Sequence, residues 1–359
     1  MIYQLRKIFV ITFVMLVLFI SSKIIVNNNF QLIKNHKHES FYIFYKELNE
    51  SYKLRINNIK KDNLCDEIKD RKIDRHHLRW VFEGLRISML ENIYLKFQSK
   101  KILNYFFSFS IFLILLVSFL FSLMSSCVMS KKKLSDLNEK NILIIFFTHI
   151  SFLSLYSFRE VQEIRFSVYE MLILSTCIYF SLKRLFSLYL ITCILAVLNR
   201  ESGIIFTLIW FILNSNFTAQ NKIFSKNNIK NFIKSFSAFI ITILIFIYVN
   251  KDIFNCGFIP QLFTHIANDN TRVLEQNLFS FRLLNSFITN FLLVFFFLLF
   301  FWYKSENQLK VTSIVIIYSL IFVFFAPIDH SILRIIFLPI ITICACNYLF
   351  YQDSLKKNF

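Results

Sequence analysis

At 359 residues, with 56% hydrophobic side chains, 47 phenylalanines and a net charge of +18, the chain has more apolar surface than one or two water-soluble domains could bury. The positive charge alone would suit a nucleic-acid partner, but such proteins concentrate Lys and Arg on one face, whereas here the basic residues sit between apolar runs. Composition therefore predicts an all-α, polytopic membrane helix bundle that contacts membrane lipids and has no nucleic-acid partner.

A spanning helix needs about 20 mostly apolar residues. In chain order, candidate spans lie at 8–26, 102–124, 141–157, 167–182, 185–198, 203–214, 236–250, 284–302, 311–326 and 331–350, about ten in all. The first follows Arg6 and Lys7 as a signal peptide would. It lacks a small-x-small cleavage site and outruns an h-region, so it reads as an uncleaved anchor. Residues 27–101 then form a long polar stretch, predicted as an extracytoplasmic loop, since long loops cross regardless of charge. Its run Leu78–Phe97 has apolar residues near a 3.6 spacing, which predicts an amphipathic helix lying on the membrane surface or packed on other outer loops. With no repeat and no second soluble region, 1–359 reads as a single transmembrane domain.

The weakest point of the span assignment is 185–214, either one long helix or two short ones meeting at Asn199-Arg200-Glu201-Ser202-Gly203. Parity decides between them. One helix would place Lys222, Lys226, Lys230 and Lys234 outside and invert every later loop, whereas two passes preserve the excess of inner-loop lysine. The same asymmetry puts both termini in the cytoplasm, with Lys131–Lys133, Lys183, Arg184, Lys310, Lys356 and Lys357 also inside. Cys127, Cys177, Cys193, Cys344 and Cys346 lie in or beside apolar runs and read as small apolar fillers.

Charged residues near membrane depth are costly and mark functional candidates. Outside the third span come Arg159, Glu163 and Arg165, followed by Glu170 at the start of the fourth. On a helix Glu163 and Glu170 share a face, and Arg159 is placed to pair with Glu163. Asn199, Arg200 and Glu201 lie between two short spans, where irregular backbone implies a cavity lining. Asp329, His330 and Arg334 lie at the turn joining the last two spans. Ion pairs that merely cap helices are the structural alternative for each loop. Arginine suits phosphate through its planar fork of donors, and a carboxylate is the usual base for a hydroxyl nucleophile.

His36-Lys37-His38-Glu39 and Asp74-Arg75-His76-His77 lack the helical His spacing of zinc sites and read as solvated loop residues. No Walker loop, dinucleotide turn or nucleophile elbow can be built with 3 glycines, which argues against ATP hydrolysis and NAD chemistry. The sequence assigns no cofactor with certainty, and a divalent cation stays open.

The stretch Arg165–Phe206, RFSVYEMLILSTCIYFSLKRLFSLYLITCILAVLNRESGIIF, together with DHSILRIIFLP from Asp329, resembles multispan bacterial glycosyltransferases of the GT-C type. The resemblance implies sugar transfer from a polyprenyl-phosphate donor to a glycan or lipid acceptor at the extracytoplasmic face. In that family an acidic motif in the first outer loop supplies the base or a metal ligand; here the matching candidates are Glu39 and the pair Asp66 and Glu67. The same central stretch is similar to exopolysaccharide and O-antigen polymerases, whose large outer loop usually comes late rather than first. A transporter or flippase would be expected to show internal repeats and Gly/Pro-broken helices. One outcome checks the orientation: a reporter enzyme fused after Lys226 is active as a cytoplasmic protein and one fused near Asn58 as an exported one, and the reverse pair contradicts it.

Overall fold

The structure is a computed structural model that describes residues 2–35, 100–157, 164–199, 201–216, 225–251, 292, 294–303, 305–325 and 336–357. Every regular element among the described residues is helical, as the apolar runs predict. In chain order they are α1 (Ile2–Asn35), α2 (Lys100–Ser130), a 3₁₀ turn at Leu134–Asp136, α3 (Glu139–Ser157), α4 (Ile164–Leu182) and α5 (Phe186–Asn199). A 3₁₀ helix Glu201–Leu208 follows, then α6 (Ile209–Asn214), α7 (Lys226–Val249), α8 (Glu306–Phe325) and α9 (Leu338–Lys357). Among the described residues, Phe9–Val26, Ser108–Ser130 and Lys226–Val249 are long and apolar enough to cross a membrane. Val168–Leu182, Phe186–Asn199 and Ser202–Asn214 are apolar but shorter. Exposed Phe9, Leu244, Leu299 and Phe300 lie on the outside of the bundle, the surface expected where lipid is the solvent. The loop 36–99 with its amphipathic run lies outside the described residues.

The core is centred on α9, which is buried all round from its start through Asn347, as a helix apolar on every face must be. Cys344, Ala345 and Cys346 are small enough to let neighbouring helices approach it. All five described cysteines are free thiols, four of them buried, in keeping with their reading as fillers. Several hydroxyls in this apolar setting are satisfied locally: Ser122 donates to Ser118 O at 2.7 Å, Thr148 to Ile144 O at 2.9 Å and Ser319 to Val315 O at 2.6 Å. Some polar contacts between helices connect distant parts of the chain. Ser126 of α2 donates to Asn347 Oδ1 of α9 at 2.5 Å, and His149 Nδ1 of α3 lies 2.9 Å from the Thr342 hydroxyl of α9.

The same contacts gather the basic turns at one end. Asn307 donates to Met129 O at 2.9 Å, Asn141 to Asp353 at 2.6 Å and Asn214 to Ser181 O at 3.1 Å. The start of α8, the end of α9 and the turn after α6 therefore lie beside the end of α2, the start of α3 and the end of α4, respectively. Both α2 and α4 close with a left-handed residue, Lys131 at φ 54 and Arg184 at φ 58. The wrap is completed by Lys132 N–H donating to Cys127 O at 3.1 Å and Leu185 N–H to Phe180 O at 3.0 Å. Cations at these ends face the negative pole of each helix.

Several helix ends lie beyond the apolar runs, most clearly in α1 and α7. Helix α1 continues past residue 26 to Asn35, so the polar stretch begins later than 27. Likewise, α7 begins at Lys226 rather than at 236, because Ser225 caps it by accepting from Asn228 N–H at 3.3 Å. Lys226, Lys230 and Lys234 therefore lie on the first turns of a helix instead of in a loop. A hydropathy window ends where apolar residues end, but a helix ends where its hydrogen bonds do.

The doubtful segment 185–214 is a tight helical hairpin. Gly203 lies against Ala196, and further along the Trp210 ring lies 5.2 Å from that of Tyr189, so the two arms run antiparallel from a turn near residue 200. Eight residues of the second arm are 3₁₀, which at about 2.0 Å per residue reaches further than an α-helix of the same length. The freed carbonyls are bonded from the side: Tyr189 donates to Phe206 O at 3.0 Å and Thr207 O at 2.7 Å, and Ser235 of α7 donates to Thr207 O at 2.5 Å. The Tyr189 oxygen in turn accepts from Trp210 N–H at 3.2 Å, bridging the junction with α6.

Only glycine fits at 203, since a Cβ there would overlap the Ala196 carbonyl group and come 2.7 Å from its Cβ. Gly203→Ala is expected to cost about 1–3 kcal/mol, read as a lowered unfolding midpoint of the purified protein in detergent. Adding Ala196→Gly restores only part of the loss, because the backbone overlap stays. An unchanged midpoint for Gly203→Ala contradicts the close approach.

Candidate functional site

The sequence assigns the chemistry to three segments at the end of the bundle away from the lysines. Of the residues singled out there, Glu39, Asp66, Glu67, Arg159, Glu163, Arg200, Asp329, His330 and Arg334 lie outside the described residues. The backbone of Arg165 is in the first turn of α4, and that of Glu201 opens the 3₁₀ helix. Asn199 is buried at the last position of α5. Glu170 is buried completely, with 0% exposure.

Glu170 sits in the second turn of α4, about 18 Å along the helix from Leu182 at the basic end. A buried carboxyl is expensive unless hydrogen-bonded. Here one oxygen, Oε1, accepts from the Ser202 hydroxyl at 2.9 Å and from the Tyr318 hydroxyl at 3.0 Å. Ser202 belongs to the turn of the hairpin and Tyr318 to the middle of α8, so one side chain ties three elements together. Tyr318 has little freedom of its own: its ring packs edge-on to Phe337 at 5.6 Å and obliquely on Phe206 at 6.3 Å. The cluster therefore ties down the start of the second arm at Ser202, next to Gly203, which lies against Ala196 of the first arm.

In this arrangement the enclosed Glu170 carboxyl joins α4 to the hairpin turn and to α8. The structure thus brings Glu170 together with the Asn199–Gly203 turn, two of the three segments the sequence placed at one depth. Sequence reasoning missed Tyr318. A single tyrosine inside an apolar run has no periodic or charge signal, and its contact with Glu170 spans 148 residues of chain.

Among the described residues, no three His, Cys, Asp or Glu side chains gather closely enough to hold a metal ion. The first-loop acids that would be the alternative ligands lie outside the described residues. Comparison with protein-family models, with curated proteins and with solved structures finds no match for this chain.

Proposed function

We propose that the chain is an integral membrane glycosyltransferase of the GT-C kind, moving a sugar from a polyprenyl-phosphate donor to a glycan or lipid acceptor in cell-surface glycan assembly. In this reading about ten spans cross a bacterial inner membrane with both termini in the cytoplasm, and the site lies at the extracytoplasmic face. The observation that carries it is the Glu170 cluster. A fully buried carboxyl is reached by hydroxyls from two other elements, one of them Ser202, which follows Arg200 closely in sequence. A polar link of this kind is costly inside an apolar bundle, and it makes sense where a neighbouring charge has to be aimed.

The roles follow from the chemistry of each group. Arg200 and Arg334, with Arg159 and Arg165 assigned to the same outer depth, hold the lipid phosphate through charge-assisted hydrogen bonds. Asn199, Glu201, Asp329 and His330 line the same region, while Glu163, Glu170 or one of Glu39, Asp66 and Glu67 removes the proton from the acceptor hydroxyl. As the bond to the sugar breaks, negative charge builds on the departing phosphate, and preorganised arginines stabilise it. No nucleotide-sugar fold is needed, because the donor is already in the lipid.

Reconstitution in proteoliposomes with a panel of polyprenyl-phosphate sugars and candidate acceptors tests this directly. Wild-type protein releases polyprenyl phosphate in an acceptor-dependent manner. Arg200→Lys keeps the charge but loses the bidentate fork, so transfer falls by about 10²–10³ while the yield of folded protein is unchanged. The reading is overturned by absence of transfer from every donor, or by an Arg200→Lys protein of full activity. Loss of folded protein in that variant assigns Arg200 a structural role instead.

A further inference from the structure

The basic end of the hairpin has a feature that sugar transfer at the opposite end does not use. Lys183 and Arg184 form the turn between α4 and α5, and Lys226, Lys230 and Lys234 lie on the first turns of α7, which packs against α5 and α6. Asn231 donates to Asn214 O at 2.8 Å and Asn214 to Ser181 O at 3.1 Å, so these two basic groups share one corner. Among the described residues none of the five forms an ion pair with a carboxylate. Lys234 lies with its ammonium 4.9 Å over the Trp210 ring and 5.5 Å from the centre of the Phe186 ring. That places an indole and a fixed cation together at one level, the combination found where a membrane meets water.

Beyond the lysines, α7 turns an apolar face outward, with Ile229, Phe232, Ile233, Phe236 and Ile240 exposed. Leu185, Leu188 and Ile191 do the same along α5. The corner therefore combines uncompensated positive charge with adjoining apolar surface, and the two together match one amphiphile. We infer that this corner binds an anionic phospholipid. The headgroup phosphate sits among Arg184, Lys230 and Lys234, and the acyl chains lie along α7 and α5. A zwitterionic lipid brings its own ammonium group to the same corner and is disfavoured there. The inference does not depend on which side of the membrane the corner faces, nor on the transfer reaction.

Trp210 is the natural reporter, since it lies under Lys234. The full chain carrying Trp80→Phe and Trp302→Phe, reconstituted in phosphatidylcholine vesicles, is compared with an equal fraction of dibrominated phosphatidylglycerol or dibrominated phosphatidylcholine. Bromine on phosphatidylglycerol quenches Trp210 severalfold more strongly. Each basic residue near the surface is worth about fivefold in relative affinity, so Arg184→Gln with Lys230→Gln and Lys234→Gln removes the preference. Lys230→Arg with Lys234→Arg keeps it, which separates loss of charge from loss of fold. Equal quenching by the two lipids in the unsubstituted corner overturns the inference, as does a preference that survives the triple substitution. Displacement by soluble glycerol phosphate overturns the assignment to a lipid and makes the corner a free-anion site.

Discussion

Inside a bilayer a backbone N–H or C=O has no water to fall back on, and each one left unpaired costs several kcal/mol. Regular helices meet that constraint within themselves, and most of this chain does so. Among the described residues the longest departure from α-helical geometry is the second arm of the hairpin, where 3₁₀ geometry runs over eight residues although stretches beyond about four are uncommon. It persists because its neighbours supply what an α-helix would have supplied internally. Tyr189 reaches across to two carbonyls and one amide, and Ser235 comes in from α7 to a carbonyl already used. The irregular backbone is thus enclosed in protein, the setting in which it is tolerated at membrane depth.

The hairpin is held at both ends by different means. Near its basic end the Tyr189, Trp210 and Phe186 rings pack together, with Lys234 over two of them. At the other end Gly203 allows the arms to touch, and Glu170 and Tyr318 fasten the turn to α4 and α8. A polar loop between two short apolar arms would otherwise be the part of the bundle most free to fray. Fastened in this way, the backbone flanking Arg200 and Glu201 is anchored before any ligand arrives. That preorganisation is what a site stabilising a developing phosphate charge requires.

The sequence read correctly where one local signal sufficed. Apolar runs located the described helices, and the interruption at Asn199–Gly203 marked the junction between the two arms of the hairpin. Polar continuations of helices were not legible: α1 runs on to Asn35 and α7 starts at Lys226 because hydrogen bonds, not hydropathy, set helix ends. Glu170 stood out as an acid at the start of an apolar run, but its partners did not. Ser202 is close in space and 32 residues away in sequence, and Tyr318 is 148 residues away, so nothing in the spacing linked them. Tyr189 was equally silent, since its role depends on the 3₁₀ geometry opposite it.

Hydrogen exchange of the protein in nanodiscs tests the role of Glu170 most directly. If Glu170 fixes the turn, amides of Ser202–Leu208 exchange slowly in the wild type, and Glu170→Ala speeds them while those in the apolar half of α7 keep their protection. Unchanged exchange at Ser202–Leu208 in Glu170→Ala, or equal loosening of α7, would contradict a turn held by that carboxyl.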